Sequence, residues 1–149
     1  MKEKFLMYME ELKKHRKVLQ NQLEKIEAIY GEKINEDVIR DLIEFNVEIL
    51  DSIAYRFAKF QDTLGKTIKV WFSLKGESVD SLTVIDVINF AEKVGFSVSK
   101  EVWWKLRNIR NKLTYEYEHE YIKVADAVME IKELFPRLNK LLKELEERT

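Results

Sequence analysis

The sequence predicts an all-α protein, an antiparallel up-and-down bundle of four to five helices, on three observations. Only four glycines and one proline interrupt 149 residues, whereas an all-β domain needs turn residues every eight to twelve positions or so. Apolar residues recur over long stretches at alternating spacings of four and three, the signature of helices packed side by side. An apolar share of 46% suffices for one core at this length, so residues 1–149 read as a single domain.

The first helix carries a seam of Phe5, Met9, Leu12, Arg16, Leu19, Leu23, Ile26 and Tyr30, broken only by Arg16. Gly31 is placed to close it, since glycine readily takes the left-handed geometry of a helix C-terminus. Asn35 is placed to cap a second helix starting near Glu36, with Glu36 and Asp37 in its positive first turn. Its apolar face runs from Val38 through Leu42, Phe45, Ile49, Ile53, Phe57 and Phe60 to Leu64. It ends near Gly65 or continues, frayed, through Ile68, Val70, Trp71 and Phe72.

The polar stretch KGESVDS separates this from a short helix over Val84 to Val94 that stops at Gly95. Ser99 is placed to cap the next helix, with Glu101 in its first turn. Val102, Leu106, Ile109 and Leu113 form its apolar stripe, enlarged by Trp103 and Trp104. The last helix repeats the seam through Val124, Val128, Ile131, Phe135, Leu138, Leu142 and Leu145. Pro136 deletes one backbone donor inside it, which predicts a kink near Lys132.

Composition narrows the function classes. With no cysteine, thiol catalysis, thiolate metal sites and disulfides are excluded, and a reducing compartment such as the cytoplasm is the natural setting. No segment reads as a signal peptide or a transmembrane span, so no membrane partner is expected. Twenty-six Lys and Arg nearly balance 27 Asp and Glu, so any attraction to nucleic acid must be local. No Gly-rich phosphate loop, paired-carboxylate motif or His-x-x-x-His spacing occurs, so no metal site and no cofactor is expected.

The candidate chemistry lies in the stretch from Arg107 to Tyr117. Arg107, Arg110, Thr114 and Tyr117 fall on one helical stripe, because offsets of three, four and seven residues return to nearly the same direction. Residues 101–112 set Lys105, Arg107, Arg110 and Lys112 against Glu101 alone. Residues 55–70 similarly set Arg56, Lys59, Lys66 and Lys69 against Asp62. Two basic helical segments could therefore border one groove for RNA or nucleotide phosphates. The plainer alternative is a solvated face, with Arg16 and Arg56 as edge residues whose stems pack while their guanidinium groups reach water.

The segment Arg110-Asn-Lys-Leu-Thr-Tyr-Glu-Tyr117 resembles the HEPN motif, in which Arg, usually followed by Asn, precedes a His a few residues on. It is closer to the HepT-like branch, which reads Arg-x-x-x-x-His-x-Tyr. The stretch Ala54-Tyr-Arg-Phe-Ala-Lys-Phe-Gln-Asp-Thr-Leu-Gly65 is similar to the Arg-Phe-x-Lys-x-Gln-Asp signature on helix two of the same proteins. Together with the helix order, the resemblance covers nearly the whole chain.

That resemblance implies a homodimeric HEPN-like bundle partnered by a minimal nucleotidyltransferase antitoxin, with toxin activity as a metal-independent RNase. It maps motif roles onto Arg110 and Asn111, and makes Tyr117 the acceptor for adenylylation by the partner. Arg107, Arg110, Arg56 and Lys59 are the candidate RNA or nucleotide ligands. The sequence departs from the family where His is expected and Tyr115 stands. Cleavage needs a base for the ribose 2′-hydroxyl near neutral pH, and imidazole has a reference pKa of about 6.5 against about 10 for a phenol.

His119, nine positions after Arg110, is the nearest substitute base, one helical turn beyond Tyr115. The other histidine, His15, is expected on the solvent side of helix one. Three functions stay open at this stage. They are a HepT-like partner with RNase activity weakened or lost at Tyr115, an active endoribonuclease using Arg110 with Tyr115 or His119, and a non-catalytic helical scaffold dimer.

Overall fold

A computed structural model describes residues 1–115 and 119–149. Its described residues form six helices: α1 (Lys2–Tyr30), α2 (Glu36–Phe45), α3 (Val47–Leu74), α4 (Val84–Lys93), α5 (Lys100–Tyr115) and α6 (Tyr121–Glu147). The all-α expectation holds, with one helix more than predicted.

Several termini are those the sequence marks. Gly31 follows α1 at φ 85°, a left-handed conformation that costs glycine little. The Asn35 side chain accepts the Val38 N–H at 3.1 Å. The Ser99 hydroxyl accepts the Val102 N–H at 3.1 Å. Gly95, at φ 91°, ends α4 in a Schellman turn, with Phe96 N–H bonded to Ala91 O and Gly95 N–H to Glu92 O.

The extra helix arises at Asn46, which leaves helical geometry at φ −144° and ψ 46° and splits the predicted second helix into α2 and α3. The apolar spacing runs through this point because α2 buries Val38, Ile39 and Leu42 while α3 resumes with Ile49, Leu50 and Ile53. Phe45, placed on the seam by its spacing, is instead 66% exposed. Asparagine suits such a break because it is a poor residue for a helix interior, and its side chain, which makes no cap bond, is engaged by Tyr30 instead.

Of the two endings the sequence leaves open for this helix, near Gly65 or past Phe72, the structure shows the second, with Gly65 inside α3. The helix continues to Leu74 and closes in a Schellman turn at Gly76, with Glu77 N–H bonded to Phe72 O and Gly76 N–H to Ser73 O. Pro136 likewise sits inside α6, which runs on to Glu147.

Four long helices close a ring in which α1 touches α3, α3 touches α5, α5 touches α6 and α6 touches α1. Their directions follow from contacts along their lengths. His15 meets Arg56, while farther back on α1 Met1, Lys4 and Tyr8 border one depression with Lys66, Lys69 and Ser73, so α1 and α3 are antiparallel. Lys13 pairs with Glu146 and Lys132 reaches Glu32 O, so α1 and α6 are antiparallel too. Ser97 bonds Glu144 and Lys112 faces Glu130, which sets α5 against α6 in the same sense.

The short helices fill the sides, α2 against α3 and α6, and α4 against α3 and α5. Inside the ring lie fully buried Phe5, Leu12, Phe57, Phe60, Leu64 and Leu106, with Val128 and Ile131 from α6. Apolar burial of this kind, at about 25 cal/mol per Å², drives the association of the helices.

Helices α3 and α5 approach closely at Gly65. A Cβ built there would lie 3.3 Å from Trp103 Cη2 and 3.7 Å from Val84 Cγ1, so the glycine makes room for an indole. A Gly65→Val variant should therefore lose about 1–3 kcal/mol through overpacking. Its midpoint in urea should fall at unchanged slope, and a variant as stable as wild type would show that α3 and α5 have room to separate.

Candidate functional site

The close approach of α3 and α5 opens, at solvent, into a groove of about 500 Å³. From α3 it takes Gln61, Asp62, Gly65, Lys66 and Lys69; from α5 it takes Trp103, Arg107 and Arg110. The start of α4 forms the remaining wall with Thr83, Val84 and Ile85. The two basic segments thus meet, although through Lys66 and Lys69 on α3.

Spacing explains the lining. Gln61, Gly65 and Lys69 stand four apart, as do Asp62 and Lys66, while Trp103, Arg107 and Arg110 advance by four and three, so each helix presents one stripe. Among the described residues, four cations face one carboxylate. Lys66 is paired with Asp62 at 3.2 Å, and that hydrogen bond and charge raise the Lys66 pKa. Lys69 Nζ reaches Asp80 O at 3.3 Å.

Arg107 lies over the ring of Trp104, 4.9 Å from its centroid, and that indole is 45% exposed. Arg110 makes no ion pair among the described residues. A groove with several guanidinium and ammonium groups and little opposing charge favours an anionic ligand.

The floor holds a residue that charge counting does not find. Gln61 is only 3% exposed and its Oε1 has no hydrogen-bond partner among the described residues, an arrangement that costs free energy. Thr83 and Asp86 form a reciprocal capping box at 3.2 and 3.3 Å. The Asp86 carboxylate thereby offsets the positive start of α4, leaving the α3 and α5 cations as the groove's source of positive charge.

The other predicted residues lie elsewhere. Asn111 and Tyr115 border a separate depression of about 280 Å³ with Asn108, Lys112 and Lys123. Tyr115 is 74% exposed, and His119 follows on an exposed turn. Arg110 and Asn111, adjacent in sequence, thus open on different depressions of α5. Tyr117 lies outside the described residues.

Arg56 and Lys59 do not line the groove. Arg56 Nη1 is 3.2 Å from His15 Nδ1, and both Arg56 and Lys59 lie over the ring of Tyr55, at 5.6 Å from its centroid. His15 is therefore not on the solvent side of α1 as expected but half-buried against α3. Arginine only donates, so His15 Nδ1 accepts and the ring is neutral with its proton on Nε2. Burial first, and then the Arg56 charge, hold the His15 pKa below its ordinary 6.5.

A histidine depressed in this way binds protons more readily when unfolded, so its contribution to stability is complete above about pH 6.5 and is lost as pH falls through that range. Chemical denaturation of wild type and His15→Gln at a series of pH values should show wild type losing more stability than the variant on acidification. Parallel curves would show that His15 is not depressed in solution by its burial and the Arg56 charge.

No protein-family model matches this chain, and no curated protein and no solved structure matches it either.

Proposed function

We propose that this chain is a HepT-like HEPN protein that binds RNA or nucleotide phosphate, as the toxin-side or substrate-binding partner of a minimal nucleotidyltransferase. The carrying observation is the convergence of Lys66, Lys69, Arg107 and Arg110 on one groove. It joins the two segments on which the HEPN resemblance rests, the helix bearing the Arg-Phe-x-Lys-x-Gln-Asp signature and the helix bearing Arg110-Asn111.

In this reading RNase activity is weakened or lost. Tyr115 occupies the place of the motif imidazole, and no histidine is among the described residues that line the depression it borders. Arg110 and Tyr115 open on different depressions within one chain, so a second copy is needed to set one chain's Arg110 against the other's Tyr115. Homodimerisation is therefore part of the proposal, and Tyr117 is the group the nucleotidyltransferase would adenylylate.

Purified wild type and Arg110→Ala, incubated with total RNA in EDTA and titrated with a labelled single-stranded RNA, test this reading. The expected result is binding without cleavage, with Arg110→Ala about tenfold weaker and its log affinity against log salt flatter by about one. Cleavage by wild type and not by Arg110→Ala would instead make the chain an active endoribonuclease. Neither binding nor cleavage would leave a helical scaffold.

A further inference from the structure

At the start of α3 a second depression, of about 520 Å³, lies between α1 and the α2–α3 junction. Lys25, Ala28 and Ile29 line it from α1, and Asn46, Glu48 and Ile49 from the junction. It is remote from the basic groove, because Ile49 and Gln61 stand about 18 Å apart along α3. Apolar side chains stand open there, with Ile29 55% exposed and Phe45, next to Asn46 in the chain, 66% exposed. We infer that this depression is the docking site for one basic, amphipathic helix of a protein partner.

Shape and polarity select a helix. The space between two packed helices takes the ridge of a third, and an amphipathic helix enters such a groove by its apolar face. Ala28, Ile29 and Ile49 supply the apolar wall, and Phe45 adds an aromatic ring of the kind that dominates protein contacts. The outward position of Phe45 is fixed. Asn46 breaks the helix directly after it, and the Tyr30 hydroxyl, which donates to Asp41, also engages Asn46. The end of α1, α2 and the junction are thereby tied together, so the surface is pre-formed and costs little to order on binding.

Charge selects the partner. Residues 22–51, which form this end of the bundle, hold nine Asp and Glu against Lys25, Lys33 and Arg40, a net of −6. The whole chain is −1, so the remainder is +5. Arg40 is already paired with Glu36 at 2.8 Å. Such a field repels nucleic acid and anionic lipid, and an isologous contact between two copies would set −6 against −6. A helix with lysines or arginines beside an apolar stripe suits both features. Its stripe would lie on Ile29, Ile49 and Phe45, and its cations would meet the surrounding carboxylates, Glu48 first.

The test is fluorescence anisotropy of the whole chain with three labelled synthetic peptides. They are a Leu/Lys helix with its leucines on one face, the same helix with Glu for Lys, and the Leu/Lys composition in scrambled order. Wild type should bind the Leu/Lys helix saturably, one per chain, at least tenfold tighter than either control, and more weakly as salt rises. Ile29→Gln and Phe45→Gln, both at exposed positions, should each weaken it about tenfold, as should Glu48→Lys. Arg110→Ala should leave peptide binding unchanged, and Phe45→Gln should leave RNA binding unchanged, so this inference and the proposed function can fail separately.

Equal affinity for the scrambled peptide would overturn the inference in favour of unspecific charge attraction, and equal affinity for the Glu helix would overturn the charge selection. No saturable binding, or binding indifferent to Ile29→Gln, Phe45→Gln and Glu48→Lys, would overturn it outright. A wild-type oligomer that Phe45→Gln dissociates in sedimentation velocity would make the face a contact between copies of this chain instead. Should a variant misfold, the ranking of the three peptides on wild type still decides.

Discussion

The contact of Trp103 with the bare backbone of Gly65 is the constraint around which the groove is built. An indole seated 3.3 Å from the position of a missing Cβ brings α3 and α5 together on one side of the ring, and neighbouring residues inherit their positions from it. On α3, Gln61 and Lys69 lie one turn to either side of Gly65 with Asp62 beside Gln61, and on α5 Arg107 and Arg110 lie one and two turns beyond Trp103. A Cβ at position 65 would force Trp103 to give by a few tenths of an ångström, and a larger side chain by more, shifting α5 against α3.

Around that contact the molecule divides its polar groups between two uses. Ser97 against Glu144 and Tyr30 donating to Asp41 tie elements together through satisfied hydrogen bonds, and burial followed by the Asp41 contact pushes the Tyr30 phenol up. The groove does the opposite, gathering like charges with, among the described residues, only Asp62 to offset them and an unpartnered amide oxygen sealed beneath. Concentrating uncompensated groups in one place costs stability, and such departures from local consistency are expected where a protein keeps a binding site.

Much of the fold was legible because its signals are local. Glycines at 31 and 95, Asn35 and Ser99 act on groups within one turn of themselves, so their roles follow from spacing alone. Asn46 defeated the same logic, and at Gly65 it left two readings open. The apolar spacing continues unbroken across Asn46, and only the placement of α2 against both α3 and α6 requires the turn that carries Phe45 outward. Gly65 fits a helix end and a continued helix equally until its neighbour across the interface is known to be Trp103.

The site divides along the same line. The sequence by itself determined an all-helical chain, the sharing of one stripe by Arg107 and Arg110, and the presence of a second basic stretch on another helix, because periodicity and charge are properties of a segment alone. Only the tertiary structure decided that this stretch contributes Lys66 and Lys69, that Arg56 turns to His15, that Asn111 and Tyr115 open away from Arg110, and that Gln61 lies buried in the floor. The register between antiparallel α3 and α5 is set by packing between residues about 40 positions apart, from Gly65 to Trp103, and no local spacing encodes it.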